Sequence, residues 1–174
     1  MPVSSLVITA GSATANAYVS LVVAEQYHLD RPAVGLTWTA ASDAQKNAAI
    51  LWATKLLDSL YDWTGYVVSS TQALLWPRYG MWYPSGYYVP SDIIPVQLQQ
   101  ATAEYARQLL VSDRAGDSDI ETQGISSISA GPVSISFTDS VHAKVIPDAV
   151  YNLLPPEWGY PRGRAMGVRD LMRA

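Results

Sequence analysis

The 174-residue sequence contains no cysteine, two histidines and one phenylalanine, and only 15% of its residues are charged. Without cysteine there can be no disulfide, no Fe–S cluster and no thiolate ligand for zinc. His28 and His142 are the only imidazoles, and carboxylates at the spacings of a usual zinc site do not accompany them. The acidic run Asp113, Asp117, Asp119 and Glu121 lacks the glycine and the twelfth-position glutamate of a calcium loop, so it reads as a solvated connection. There is no G-x-G-x-x-G opening a helix, no P-loop and no G-x-S-x-G elbow. These gaps leave no catalytic residue, no metal ligand and no cofactor-binding residue to assign, and the chain is not expected to be an enzyme. No apolar run approaches the roughly 18 residues of a membrane span, and the N-terminus lacks the basic start of a secretory signal. The expected place of synthesis is the cytoplasm, with no membrane partner.

Apolar residues, by contrast, are plentiful. They make up 49% of the chain, with six Trp and eleven Tyr. The length supports one domain, and the apolar surplus suggests surface buried against other copies. The net charge of −4 conceals an asymmetry. Residues 1–161 carry seven Lys and Arg against 14 Asp and Glu, net −7, whereas residues 162–174 carry four Arg against one Asp, net +3. Such a cationic tail suits nucleic acid, a membrane surface or an acidic protein groove, and the sequence alone prefers none of them.

Periodicity predicts a mainly α protein: a bundle of three to four helices with a β-hairpin and an extended C-terminal arm. A first helix, capped by Ser12 or Thr14, carries Ala17, Tyr18, Leu21, Val22 and Ala24 inward and ends near His28. The longest helix follows a cap at Thr39 or Ser42. Its expected stripe is Ala48, Leu51, Trp52, Lys55, Leu56, Ser59 and Leu60, and it should close near Trp63 at Gly65. Another starts at Pro95 with Val96, Leu98, Ala101, Tyr105, Ala106, Leu109 and Leu110 inward. Ile125, Ile128, Val133, Ile135 and Phe137 suggest a hairpin over 124–138, and a short helix is expected from Pro147 to Leu154. Residues 1–155 thus form the domain and 156–174 the arm.

Between the second and third of these helices, residues 76–90 form an aromatic loop. Six aromatics fall in the thirteen positions from Trp76 to Tyr88, and Pro77, Pro84 and Pro90 forbid a helix or central strand. Aromatics of this kind can stack on bases, but the loop holds one cation, Arg78, in an acidic body, and phosphate binding is driven by Lys and Arg. A protein-facing surface fits better, with Tyr79, Trp82, Tyr83, Tyr87 and Tyr88 as the subunit or tail interface. Trp76 is expected to plug the core.

Certain blocks are similar to a known family. SDAQKNAAILWATKLLDSLYDWTG, then QALLWPRYG, IIPVQLQQATAEYARQLL, SISF and PDAVYNLL resemble, over about residues 15–155, small tailed-phage head-tail connector or adaptor proteins. These are also called head completion or neck proteins, and their sequences are often labelled DnaT-like single-stranded DNA-binding proteins. The most specific element is the anchor Gln72, Ala73, Leu74, Trp76, Pro77 and Arg78, followed by Ile94-Pro95, with Arg78 expected to tie the loop to an acidic neighbour. The resemblance implies a structural virion protein in the neck. It would form a homo-oligomeric ring of about twelve copies beneath the portal protein, above a tail or nozzle protein. Packaged double-stranded DNA would pass through without specific binding. The resemblance also implies a C-terminal extension that reaches the portal, here Trp158, Tyr160, Arg162, Arg164, Arg169, Leu171 and Arg173. The insertion MWYPSGYYV and the Gly/Arg tail depart from the family pattern. The alternative reading is a single-stranded DNA-binding replication accessory.

Overall fold

Ser42 sets the register of the longest helix. Its Oγ accepts the Gln45 N–H, while the Gln45 side chain accepts the Ser42 N–H in return, a reciprocal cap that starts α3 at Asp43–Leu60. In the computed structural model, which describes residues 5–31, 36–113, 127–130, 133–136 and 145–162, there are four further helices. They are α1 (Leu21–Leu29), α2 (Leu36–Ala40), α4 (Val96–Leu109) and α5 (Asp148–Tyr151). The longest contact is α3 against α4, with α1 lying on both and α5 on α4. The architecture is mainly α, with small two-stranded sheets.

The buried face of α3 differs from the expected stripe. Lys46, Ala49, Ile50, Ala53, Thr54, Leu56 and Leu57 are buried, whereas Ala48, Lys55 and Ser59 are exposed and Leu51, Trp52 and Leu60 only flank the core. The small residues Ala49 and Ala53 are part of the buried face of α3, the helix that packs most extensively against α4. α4 is buried on nearly every side, and even Glu104 is enclosed. Arg31 and Arg107 pair with Glu104, and Gln108 donates to it. Burial alone would raise the pKa of this carboxyl, but these partners outweigh it and hold the group below its ordinary value. Val96, expected inward, stands exposed in the first turn.

The first helix begins later than its sequence suggests. Asn16 accepts the Val7 N–H at 2.7 Å and donates to the Ser5 carbonyl, while Ser12 and Thr14 bond to each other. These local bonds hold residues 10–16 out of the helix, and Ser20 becomes the cap. Ala17 and Tyr18 still enter the core, from the segment ahead of α1.

α3 also stops early. Tyr61 turns extended, and β1 (Tyr61–Trp63) pairs antiparallel with β6 (Gly159–Pro161), Trp63 opposite Gly159 and Tyr61 opposite Pro161. This corrects the arm assignment. Residues 156–162 belong to the folded body: a 3-10 turn over Pro156–Trp158 delivers the Trp158 ring to the core at 0% exposure. Tyr160 is a β6 residue, and Arg162 donates its N–H to the Leu60 carbonyl and pairs with Asp62 at 2.7 Å. Gly159 has φ +144, and a Cβ there would lie 2.1 Å from the Asp62 carbonyl oxygen, so only glycine lets the two strands meet.

β2 (Tyr66–Val67) pairs with β3 (Arg78–Tyr79), and the expected hairpin is present as β4 (Ser127–Ala130) against β5 (Val133–Ser136). Ile125 and Phe137 lie outside the described residues. The last helix is shorter than expected, since Leu153 and Leu154 already form turns.

Candidate functional site

Gln72 organises the approach to the aromatic segment. Its Oε1 accepts the Val68 and Ser69 N–H groups at 3.0 and 2.9 Å, and its Nε2 donates to the Leu74 and Pro77 carbonyls. Asp58 of α3 accepts the Leu75 N–H at 3.1 Å and the Tyr18 hydroxyl. Burial is the main cause that pushes the Asp58 carboxyl up to about 6. Burial and the neighbouring Asp58 charge hold the Tyr18 phenol well above its ordinary value.

Trp76 and Pro77, joined by a cis peptide, seat the anchor in the core. The Trp76 ring meets Trp63 edge-on at 5.5 Å and Trp158 at 5.0 Å. Arg78 feels the charge of the acidic neighbour Asp58, as expected, but its hydrogen bonds all go to backbone carbonyls. Nε donates to Thr64 at 2.7 Å, Nη1 to Leu75 at 3.1 Å, and Nη2 to Gly65 at 2.8 Å and Trp63 at 3.5 Å. The fork of a guanidinium fits a ring of carbonyls that a point charge could not serve together. Its charge lies beneath the surface and is unavailable to a ligand.

Residues 81–89 form a hairpin-like tongue. Val89 donates to the Met81 carbonyl, Tyr83 to Tyr87 and Gly86 to Tyr83, with Trp82 and Tyr88 bridged across it. Met81 and Val89 plug the base into the core, and Tyr83 leans inward with its ring 5.8 Å from Trp158. The Trp158 indole N–H donates to the Trp82 carbonyl at 2.7 Å, tying the tongue to the C-terminal strand. The remaining aromatics face out. Exposure is 75% for Tyr87, 67% for Tyr66, 65% for Tyr88, 51% for Tyr79 and 45% for Trp82. Trp82 stacks near Tyr88, centroids 3.5 Å apart, and Tyr66 on Tyr79 at 5.3 Å.

Of the expected interface residues, the structure therefore presents Tyr79, Trp82, Tyr87 and Tyr88 on the surface and turns Tyr83 inward. Tyr66 lies outside the expected set. It joins this surface only through the β2–β3 register, which no local pattern in the sequence announces. Of the arm residues, Arg164, Arg169, Leu171 and Arg173 lie outside the described residues.

Cations are scarce around this surface. Among the described residues, Arg31 and Arg107 pair with Glu104, Lys46 with Glu25 and Arg162 with Asp62, while Lys55 lies over the Trp52 ring. His28 is buried, bonded through Nε2 to the Ala103 carbonyl at 3.1 Å, and burial pushes its pKa down to about 4, so it is neutral near pH 7. Asp113 accepts from the Trp52 indole N–H, whereas Asp117, Asp119, Glu121 and His142 lie outside the described residues. Among the described residues no group of three or more His, Asp or Glu could hold a metal ion, and no helix is long and apolar enough to cross a membrane.

No curated protein and no solved structure shows a significant match to the chain. A family model does, over residues 5–170, which is nearly the whole sequence. The chain belongs to the family described as "Putative DnaT-like ssDNA binding protein".

Proposed function

We propose that the protein is a non-catalytic structural adaptor whose exposed aromatic surface docks other protein subunits. The observation that carries this reading is an exposed surface of Tyr66, Tyr79, Trp82, Tyr87 and Tyr88 where, among the described residues, the cations are engaged elsewhere: Arg31, Arg107, Lys46 and Arg162 with carboxylates, Arg78 with backbone carbonyls and Lys55 over the Trp52 ring. Tyr and Trp give large, rigid contact area, which suits a protein partner, while a phosphate backbone needs free Lys or Arg. Together with the resemblance to tailed-phage neck proteins, this favours a virion protein. It would form a head-to-tail ring of about twelve copies between portal and tail or nozzle, continuing the channel for packaged DNA. In that assembly Arg164, Arg169, Leu171 and Arg173 would contact the portal. The test is to mix the purified chain with isolated portal rings and inspect them by electron microscopy. A second ring layer on the portal is expected, and bare portals at micromolar protein would refute the proposal.

A second reading, single-stranded DNA binding, is favoured by the family description. It requires a gel shift of an oligothymidylate at about 50 mM salt, where electrostatic binding is strong. That shift should vanish in a Trp82→Ala, Tyr87→Ala, Tyr88→Ala variant. No shift at micromolar protein would end this reading.

A further inference from the structure

We propose that the cavity between α1, α2 and α3 is a binding site for a small, uncharged lactam, a planar ring that carries a carbonyl next to an N–H. The cavity has a volume of about 210 Å³, and among the described residues it is lined by Glu25, His28 and Leu29 of α1, Trp38 and Thr39 of α2 and Lys46 of α3. It shares no residue with the exposed aromatic surface, so the inference is independent of the adaptor reading. An engineered apolar cavity of about 150 Å³ holds benzene, and drug-sized ligands need about 300 Å³ or more. One ring with a few substituents is therefore the size that fits.

The polar groups select the kind of ring. Lys46 Nζ donates to Glu25 Oε1 at 2.7 Å and stands 5.6 Å from the centre of the Trp38 ring, although the Lys46 side chain is only 10% exposed. An ammonium has three N–H donors and a carboxylate two acceptor oxygens, and among the described residues these two groups bond only to each other. The pair thus offers a spare donor beside a spare acceptor. A lactam edge has the complementary order: its C=O accepts from Lys46 while the adjoining N–H donates to Glu25. The ion pair stays intact throughout, so the site needs no free cation. A phosphate or carboxylate ligand would instead compete with Glu25 for the ammonium. His28 and Trp38, ring centroids 4.3 Å apart, and Leu29 supply walls for a planar ring. The His28 imidazole bonds to the Ala103 carbonyl through Nε2 and is neutral near pH 7, and its buried Nδ1 has no partner among the described residues, so the floor adds no charge that would draw in an anion.

Titration of the full-length, nitrogen-15-labelled protein with 2-pyridone, followed by NMR, tests this. The Trp38 indole N–H and the amides of Glu25, His28 and Lys46 should shift and saturate, with a Kd of about 1 mM for a ligand of so few atoms. N-methyl-2-pyridone, which keeps the ring and the carbonyl but has no N–H, should bind about tenfold more weakly, because the Glu25 oxygen then loses its donor. Lys46→Met, which keeps an apolar stem and loses the ammonium, should abolish the saturable shifts. If that variant does not fold, the comparison of the two probes on the parent decides. No saturable shift up to about 20 mM 2-pyridone, well above the expected Kd, would overturn the inference. So would equal binding of the two probes, or shifts confined to Trp82 and its neighbours on the tongue.

Discussion

Replacing Asp58 by Asn should make the protein more stable at neutral pH and expose a pH dependence that the parent conceals. Burial raises the folded-state pKa of Asp58 to about 6 from an ordinary 3.8. A carboxyl raised in this way binds its proton more tightly in the folded than in the unfolded chain, so its charge costs stability at pH 7, and that cost is relieved as pH falls from about 6 to about 4. At about 1.4 kcal/mol per pKa unit the cost is about 3 kcal/mol before solvent screening, and about 1–2 kcal/mol with it. His28 works in the opposite sense. Its folded-state pKa is depressed to about 4 from 6.5, so its stability is fully present above pH 6.5 and is lost, by up to about 3 kcal/mol, as pH falls towards 4. In the parent the two slopes oppose each other over almost the same window. Asn at position 58 can still accept the Leu75 N–H, while its NH2 donates to the Tyr18 oxygen in place of accepting from it, so one bond is kept and the other reversed while the charge goes. Urea unfolding followed by tryptophan fluorescence, at steps between pH 4.5 and 7.5, measures both effects. The variant should gain about 1–2 kcal/mol at pH 7 and fall more steeply than the parent towards pH 4.5. A loss of more than about 1 kcal/mol at pH 7, or a profile parallel to the parent's, would refute the reasoning.

Trp158→Ala should destabilise the fold by about 3–5 kcal/mol in the same unfolding assay, because it empties a core position and removes the bond to the Trp82 carbonyl; a true arm residue would cost nothing. Arg78→Lys should cost about 2–3 kcal/mol despite keeping the charge, since an ammonium cannot reach the carbonyls of Thr64, Gly65 and Leu75 together. Trp82→Ala combined with Tyr88→Ala should change the unfolding free energy by no more than about 1 kcal/mol while abolishing attachment to portal rings, a separation expected of surface aromatics that serve binding.

Much of the helical layout was legible in the chain. Ser42 followed three residues later by Gln45 marks the start of α3, and Pro95 marks the start of α4, because capping and proline geometry act within one turn. The inward placement of Trp76 was legible as well, since the proline after it and the helices on both sides leave a large ring little else to fill. The rotation of α3 about its axis was not legible. Leu51, Trp52 and Ala48 make an acceptable apolar stripe by spacing, and only the packed fold shows that Ala49 and Ala53 take the inner position.

The C-terminal boundary failed for the same kind of reason. EWGYPRGR looks like an irregular arm because nothing within it pairs locally; its partners are Tyr61, Asp62 and Trp63, about a hundred residues earlier. The role of Arg78 was equally hidden, for its carbonyl partners come from a bend at residues 63–65 that exists only once β1 and β2 are formed. By itself the sequence determined composition, charge asymmetry, helix starts and the density of aromatics in one segment, all of which rest on neighbours within a few residues. Tertiary structure alone decided which of those aromatics after Trp76 turn inward, that Tyr66 joins the exposed ones, and that the lone loop cation is hydrogen-bonded by backbone. Such outcomes depend on contacts between distant parts of the chain, and no local pattern encodes them.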